Sequence, residues 1–138
     1  MAITQALANS WKVEVLQGVH LASDVYKIAL YTNAATLNKS TKVYSATNEV
    51  VGAGYVAGGM SLVGFNVTLD TDTAILDWTT DPVWVAATIT ARGALIYNST
   101  RANKAVAILD SGADIASTAG NFIVRLPDPT AAEGLIRI

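Results

Sequence analysis

The chain contains no cysteine, which excludes disulfide bonds and thiolate metal ligands. His20 is the single histidine, so a Ser-His-Asp triad or a zinc centre would depend on that residue alone. No serine stands in the GxSxG pattern of a nucleophile elbow. These absences predict a protein that is not an enzyme and that has no catalytic residues, no metal site and no cofactor.

The eleven acidic residues leave one catalytic alternative open, a small hydrolase that uses a pair of carboxylates. Most of these acids stand in turn-like contexts, where an Asp side chain accepts hydrogen bonds from nearby backbone amides. They include Asp24, Asp70, Asp72, Asp81, Asp114 and Asp128. Turn formation therefore explains them without catalysis, and a calcium loop at Asp70 and Asp72 would lack its glycine and glutamate.

Charged residues are scarce, at 14% of the chain with a net charge of -2, against about 25% in average soluble domains. The sequence has no basic stripe, no signal-peptide pattern and no apolar run of about 20 residues. We therefore expect neither nucleic acid nor a membrane as a partner. Because 51% of the residues are hydrophobic, part of the surface is predicted to be covered by other copies or by a partner.

One helix is predicted, over about residues 4–17, with Thr4 as its cap and Gly18 at its end. Its apolar stripe consists of Ile3, Leu7, Trp11 and Val15. This stripe could pack on the protein's own sheet or on a neighbouring subunit.

The centre of the chain reads as a hairpin of two apolar, β-prone runs, 87–98 and 105–110, joined by the polar segment 99–104. Both faces of the hairpin carry apolar side chains, which indicates a position inside a sheet or between layers. Arg92 is a charge within this apolar hairpin, so we expect it to have a fixed partner, across a strand or across an interface.

Further strands are predicted at 25–31, 61–69, 74–78 and 121–126. The segment 61–69 alternates, which predicts that Val63, Phe65, Val67 and Leu69 face inward. Connections are predicted at 32–48, a long polar excursion, at the glycine-rich 50–59, and at the turn-forming 111–120. About seven or eight short strands indicate a mainly β single domain over residues 1–138, a β-sandwich or jelly-roll-like module with one N-terminal helix. An open barrel is the alternative.

The tail, residues 128–138, is apolar for a chain terminus, and it is either a last strand or a segment that adds to a neighbour's sheet. The predicted interface residues are Ile3, Leu7, Trp11, Arg92, Arg101, Leu135, Ile136 and Ile138. Three tryptophans and five tyrosines offer an alternative use, a platform on which sugars stack.

Several segments also carry a likeness to a known family: 1–6, 26–32, 52–59, 90–98 (TARGALIYN) and 105–110, which together span nearly the whole chain. In these segments the chain resembles a family of small structural proteins encoded by tailed bacteriophages. Ser111 departs from the pattern, since a bulky apolar residue such as Phe would be expected after Asp110. The departure puts the local packing after the hairpin in question.

The resemblance implies a virion component, and its size, β content and low charge suit a capsid cement or decoration protein. The implied partners are the major capsid protein and copies of the chain itself, as a dimer or trimer. The implied location is the virion, on the head exterior, after synthesis in the bacterial host cytoplasm. Alternatives are a tail or collar component such as a fibre adaptor, and a carbohydrate-binding module.

Overall fold

The computed structural model describes residues 2–138 and contains two antiparallel sheets and one short helix. The five-stranded sheet has the spatial order β1 (Ala6–Leu7), β7 (Lys104–Ile123), β6 (Val83–Asn98), β2 (Tyr26–Tyr31) and β3 (Met60–Ser61). The three-stranded sheet has the order β4 (Val63–Asp70), β5 (Thr73–Thr80) and β8 (Ile136–Arg137), and the helix α1 is Asn9–Leu16. The predicted mainly β fold class is confirmed. Two antiparallel sheets are consistent with a β-sandwich, and jelly-roll connectivity stays a prediction.

The hairpin of β6 and β7 forms the centre of the large sheet. The two strands pair from Val83 with Ile123 to Asn98 with Lys104, with several register shifts along the way. The predicted connection at 111–120 is therefore wrong, because β7 continues through it as a strand. Ser111 and Gly112 lie in a bulge between the paired residues Asp110 and Ile115, where Gly112 has a φ of +77°. Ser117 and Gly120 pair with Ile89 and Ala87 of β6.

Tyr26 joins the two sheets through an aromatic cluster. Its ring lies 5.3 Å from the ring of Phe65 and 5.5 Å from that of Trp78, both of which belong to the small sheet. The buried side chains of Leu95 and Ile108 extend the same core across the centre of the large sheet. These contacts bury large aromatic surfaces, which makes them a main source of stability between the layers.

The helix begins at Asn9, so the prediction that it starts near residue 4 is wrong. Ala6 and Leu7 instead pair with Ile108 and Ala107 of β7. The amide of Thr4 donates to the carbonyl of Leu37 at 2.9 Å, so it does not cap a helix. Long-range partners for the backbone outweigh the local helical pattern here, because weak helix propensity yields to tertiary pairing. Gly18, with a φ of +73°, follows the end of the helix as predicted.

The long excursion 32–48 lies against the rest of the fold through isolated bridges of Leu37 with Ile3 and of Val43 with Lys104. No helix within residues 2–138 is both long enough and apolar enough to cross a membrane.

Candidate interaction surface

The small sheet has one apolar face, which is built by strand alternation. The register pairs Phe65 with Trp78, and it places Val67, Leu76 and Ile136 in the next row. Leu69 and Ala74 follow, and the backbones of Ala74 and Ile138 exchange two hydrogen bonds of 2.9 Å each. Residues opposite one another in an antiparallel sheet point to the same side. We call these aligned side chains (Phe65, Val67, Leu69, Ala74, Leu76, Trp78, Ile136 and Ile138) the small-sheet apolar face.

The small-sheet apolar face runs from the core into solvent. Trp78 is only 3% exposed, whereas Val67 is 57%, Leu69 71% and Ile138 73% exposed. The prediction that Val63, Val67 and Leu69 face inward as core residues is therefore wrong, although they share a side with the packed Phe65. The tertiary structure covers only the near end of this hairpin, so its far end presents apolar side chains without a covering layer.

The C-terminal segment packs on part of the other face of the small sheet, over Ile75 of β5. Gly134 lies so close to Ile75 that an added Cβ would stand 2.6 Å from its side chain. The amide of Ala131 donates to the Asp70 carboxylate at 2.6 Å, and Arg137 donates to the carbonyl of Ala132 at 2.5 Å. The exposed end of the small-sheet apolar face, with Val67, Leu69 and Ile138, has no such cover among the described residues.

Strand β4 also has a free edge, because it lies at the outside of its sheet and pairs only with β5 among the described strands. Its sequence, VGFNVTLD, has none of the lysines or prolines with which proteins protect exposed edges from pairing. An open edge next to an apolar face combines hydrogen-bonding groups with hydrophobic surface, which is the combination used in strand addition.

The predicted interface residues fall into different environments. Ile3, Trp11 and Ile136 are buried within the chain itself, and Leu7 and Leu135 are partly buried against the same core. These five residues therefore stabilise the fold, as hydrophobic groups removed from water do. The tail forms strand β8 of the chain's own small sheet, and of its apolar residues Ile138 reaches the surface.

The helix presents a second apolar area. Trp11 packs into the chain's own core, while Val13 and Leu16 are exposed, Leu16 by 89%. The prediction that this helix docks on a neighbouring subunit stays a prediction, and these two side chains are the ones it would use.

Arg92 has the cross-strand partner that its position predicted. Its Nε donates to Oδ1 of Asp110 at 3.1 Å. The backbone amide of Gly112 and then this arginine hold the pKa of Asp110 below its usual range, against the opposing effect of partial burial. Ser111, where a bulky residue was expected, donates to the backbone carbonyl of Arg92 and thus secures the bulge. Arg92 therefore serves the hairpin internally.

Arg101 is likewise engaged within the chain, at the tip of the hairpin. Its Nε donates to Asp24 at 3.0 Å, and this bond is the main reason why the pKa of Asp24 falls to about 2. Asn98 donates to the same carboxylate at 2.8 Å, while its own carbonyl accepts from the amides of Thr100 and Arg101. The loop is thereby fixed to the segment before β2, with the arginine partly open to solvent.

His20 belongs to the same buried network. The amide of Asn98 faces its Nδ1 at 3.0 Å, so its Nε2 donates to Glu14, also at 3.0 Å. Lys104 reaches the other oxygen of Glu14 at 3.2 Å. Both ring nitrogens of the histidine thus help to hold the helix to the hairpin.

Glu49 is a buried acid that the sequence pattern did not reveal. Its carboxylate accepts from the hydroxyls of Tyr44 at 2.6 Å and Tyr55 at 2.5 Å, and from the amide of Gly58 at 2.7 Å. Burial and then this carboxylate raise the pKa of Tyr55 above its usual value. Tyr44 and Tyr55, close to Glu49 in the sequence, were the feature that could have indicated this site, and their hydroxyls act as hydrogen-bond donors inside the fold.

All three tryptophans are buried, which leaves none for an exposed sugar-stacking platform.

The predicted turn role fits Asp24, whose carboxylate accepts from the backbone amide of Leu21, three residues before it. The carboxylates of Asp70 and Asp81 accept from the distant amides of Ala131 and Leu126, so these two bonds join separate segments of the chain. Across residues 2–138, no group of three or more His, Asp or Glu side chains is spaced to hold a metal ion.

Comparison with family models, with curated proteins and with solved structures gave no match to this chain.

Proposed function

We propose that the protein is a non-enzymatic structural component of a tailed-phage virion, a cement or decoration protein that stabilises the head shell. The observation that carries the proposal is the small-sheet apolar face, whose exposed residues Val67, Leu69 and Ile138 continue the protein's own core to the surface. The resemblance to small phage structural proteins supplies the identity of the partner. A tail or collar position is the runner-up.

The mechanism is mechanical. Burial of apolar surface stabilises by about 25 cal/mol for each Å² removed from water, and the gain is repeated at each copy on a shell. The sheets offer a rigid support for such a face, because Tyr26, Phe65 and Trp78 lock them together. Little ordering entropy is then lost on binding, which favours affinity.

The partners in this proposal are the major capsid protein and further copies of the chain, as a dimer or trimer. The free edge of β4 supports self-association, since it offers unpaired backbone donors and acceptors beside the apolar face. The low charged fraction of 14% supports it as well, because few charges must lose water when surfaces meet.

The test replaces apolar surface by polar surface. We expect the double variant Leu69→Ser, Ile138→Ser to fold normally and to bind purified heads at least about tenfold more weakly, since it removes two exposed apolar side chains from the contact. The matched control is Val51→Ser, which changes a valine that is 93% exposed in another part of the surface. Binding is measured by co-sedimentation with heads that lack the protein, with copy number from stained gels.

The head proposal is contradicted if the double variant co-sediments with heads as well as the wild type does. Recovery of the protein with purified tails at low copy number, and not with heads, would instead assign it to the tail or collar.

A further inference from the structure

A pocket of about 330 Å³ lies beside the small sheet, on the side away from its apolar face. Its lining residues are Asn66, Asp77, Trp78, Thr79, Asp81, Leu126, Pro127, Asp128 and Pro129. We call it the Asp77 pocket. Three of its side chains are carboxylic acids, and none of the described residues that line it is a lysine or an arginine.

Asp77 is only 3% exposed and its carboxyl group is incompletely hydrogen-bonded. Oδ1 accepts from the backbone amide of Trp78 at 2.8 Å, and Oδ2 has no hydrogen-bond partner within residues 2–138. A buried carboxylate oxygen without a donor is destabilising. The last torsion of an aspartate side chain is soft, so a small rotation can turn Oδ2 toward a donor that enters the pocket.

The pocket wall offers acceptors but few donors. Pro127 and Pro129 have no backbone N–H. The carboxylate of Asp81 is already used, because it accepts from the amide of Leu126 at 2.8 Å and faces Arg125 at 3.6 Å. The backbone amide of Leu135 also stabilises the ionised carboxylate of Asp77, but Oδ2 still has no partner in hydrogen-bonding geometry among residues 2–138. The complementary ligand of Asp77 and Asp128 is therefore one that brings several N–H groups and a positive charge.

A bare metal ion fits this arrangement poorly. Calcium and magnesium need oxygen ligands that converge to about 2.0–2.6 Å from one point. The acids of the pocket do not meet that condition, since no metal-holding cluster of three such side chains occurs in the part of the chain that the structure describes. Acids that surround a space without converging suit a larger cation, whose N–H donors are spread over several atoms.

We infer that the Asp77 pocket binds an organic cation, an alkylammonium or guanidinium group, with Asp77 as its main anionic partner. Asp128 and the side-chain carbonyl of Asn66 are the further acceptors on the wall. A volume of about 330 Å³ lies within the range of small-ligand sites. The cation can be a free amine or the side chain of a partner protein. The inference does not depend on the proposed role in the virion.

The experiment follows the backbone amide NMR signal of Trp78 and the melting temperature while a cation is added to the full chain. The probes are agmatine, a free guanidinium compound, and N-acetyl-arginine amide, which carries the same group as a protein side chain does. Sodium chloride at matched ionic strength and calcium chloride are run in parallel. Asp77→Asn removes the anionic partner, and Asp72→Asn is the matched control, an exposed acid in the β4–β5 turn.

The expected result is a saturable shift of the Trp78 signal with a rise in melting temperature, kept in Asp72→Asn and weakened roughly tenfold or more in Asp77→Asn. If both probes shift the signal, the pocket accepts a free guanidinium compound and also the arginine side chain of a partner protein. If agmatine alone shifts it, the pocket accepts only free amines. Asp128→Asn serves as the second variant if Asp77→Asn loses its native circular dichroism spectrum. No saturable shift, an equal shift in Asp77→Asn, or a stronger response to calcium chloride overturns the inference.

Discussion

At the scale of single residues, the carboxyl group of Asp77 combines burial with an incomplete set of donors. Burial is the largest cause that raises its pKa above the usual range, and the charges of Asp81 and Asp128 act in the same direction. The backbone amides of Trp78 and Leu135 oppose the rise by stabilising the ionised form. The folded state therefore binds this proton more tightly than the unfolded chain does.

This difference sets the sign of a pH effect. A raised folded-state pKa contributes stability at low pH, and the contribution is lost as the pH rises from about 3.8 through the folded-state value. We expect the free energy of unfolding of Asp77→Asn to rise relative to that of the wild type, by about 1 kcal/mol, as the pH increases from 3 to 7, because only the wild type loses this contribution. Urea unfolding of both proteins at the two pH values measures the difference. A stability difference between the two proteins that does not change with pH in this direction would contradict the raised pKa of Asp77.

Residue chemistry was partly readable from the sequence. The turn role of Asp24 followed from local rules, because its carboxylate accepts from the amide of Leu21 three residues away, and so did the need of Arg92 for a fixed partner. Asp70 and Asp81 instead accept from the amides of Ala131 and Leu126, which are 61 and 45 positions away, so local rules could not identify those partners. The environments of Glu49 and Asp77 did not follow from local rules either, because their burial depends on segments far along the chain.

At the scale of elements, Gly59 shows how closely two segments approach. It has a φ of +77°, and an added Cβ would lie 1.8 Å from the carbonyl oxygen of Ile28 on β2. Gly112 has the same φ of +77° with open space around it. Substitution at Gly112 therefore measures the free-energy cost of the backbone conformation alone, and substitution at Gly59 adds the cost of a steric clash.

We expect Gly59→Ala to lower the free energy of unfolding by about 3 kcal/mol or more, since the backbone must move away from β2. Gly112→Ala should cost about 1 kcal/mol, the penalty of a left-handed conformation alone. Equilibrium unfolding in urea, followed by circular dichroism, measures both. Equal losses in the two variants would contradict the close approach of Gly59 to β2.

Elements with strong local patterns were predicted well. The strands β2 and β5 and the central hairpin follow from alternation and from the turn residues between them. The continuation of β7 through 111–120 and the start of the helix at Asn9 could not be predicted in this way. In both places a backbone that local rules assign to a turn or a helix finds hydrogen-bond partners on a distant strand.

At the scale of the whole molecule, stability depends on the contact of the two sheets at Tyr26. Its ring packs against Phe65 and Trp78, and its hydroxyl donates to the carbonyl of Leu21 at 2.9 Å. Burial raises the pKa of Tyr26 to about 12, so the hydroxyl keeps its proton at neutral pH. The side chain thus contributes both an apolar ring and a hydrogen bond to the junction.

We expect Tyr26→Ala to lower the free energy of unfolding by about 3–5 kcal/mol, because it leaves a cavity between the sheets. Tyr26→Phe keeps the ring and should cost about 1 kcal/mol, the value of one hydrogen bond. Tryptophan fluorescence reports on the surroundings of Trp11, Trp78 and Trp84 together, and circular dichroism reports on all strands, during the same urea titration. Similar losses in the two variants would mean that the ring does not hold the sheets together.

The sequence by itself determined the mainly β class, the central hairpin and the scarcity of charge that predicts a covered surface. These properties depend on neighbours within a few residues, or on composition alone. Only the tertiary structure decided that the far end of β4 is exposed, that the tail completes the small sheet as β8, and that Asp77 and Glu49 are buried. Each of these depends on whether a segment distant in sequence packs over the residue or pairs with it. The local alternation of apolar and polar residues carries no information about such distant segments.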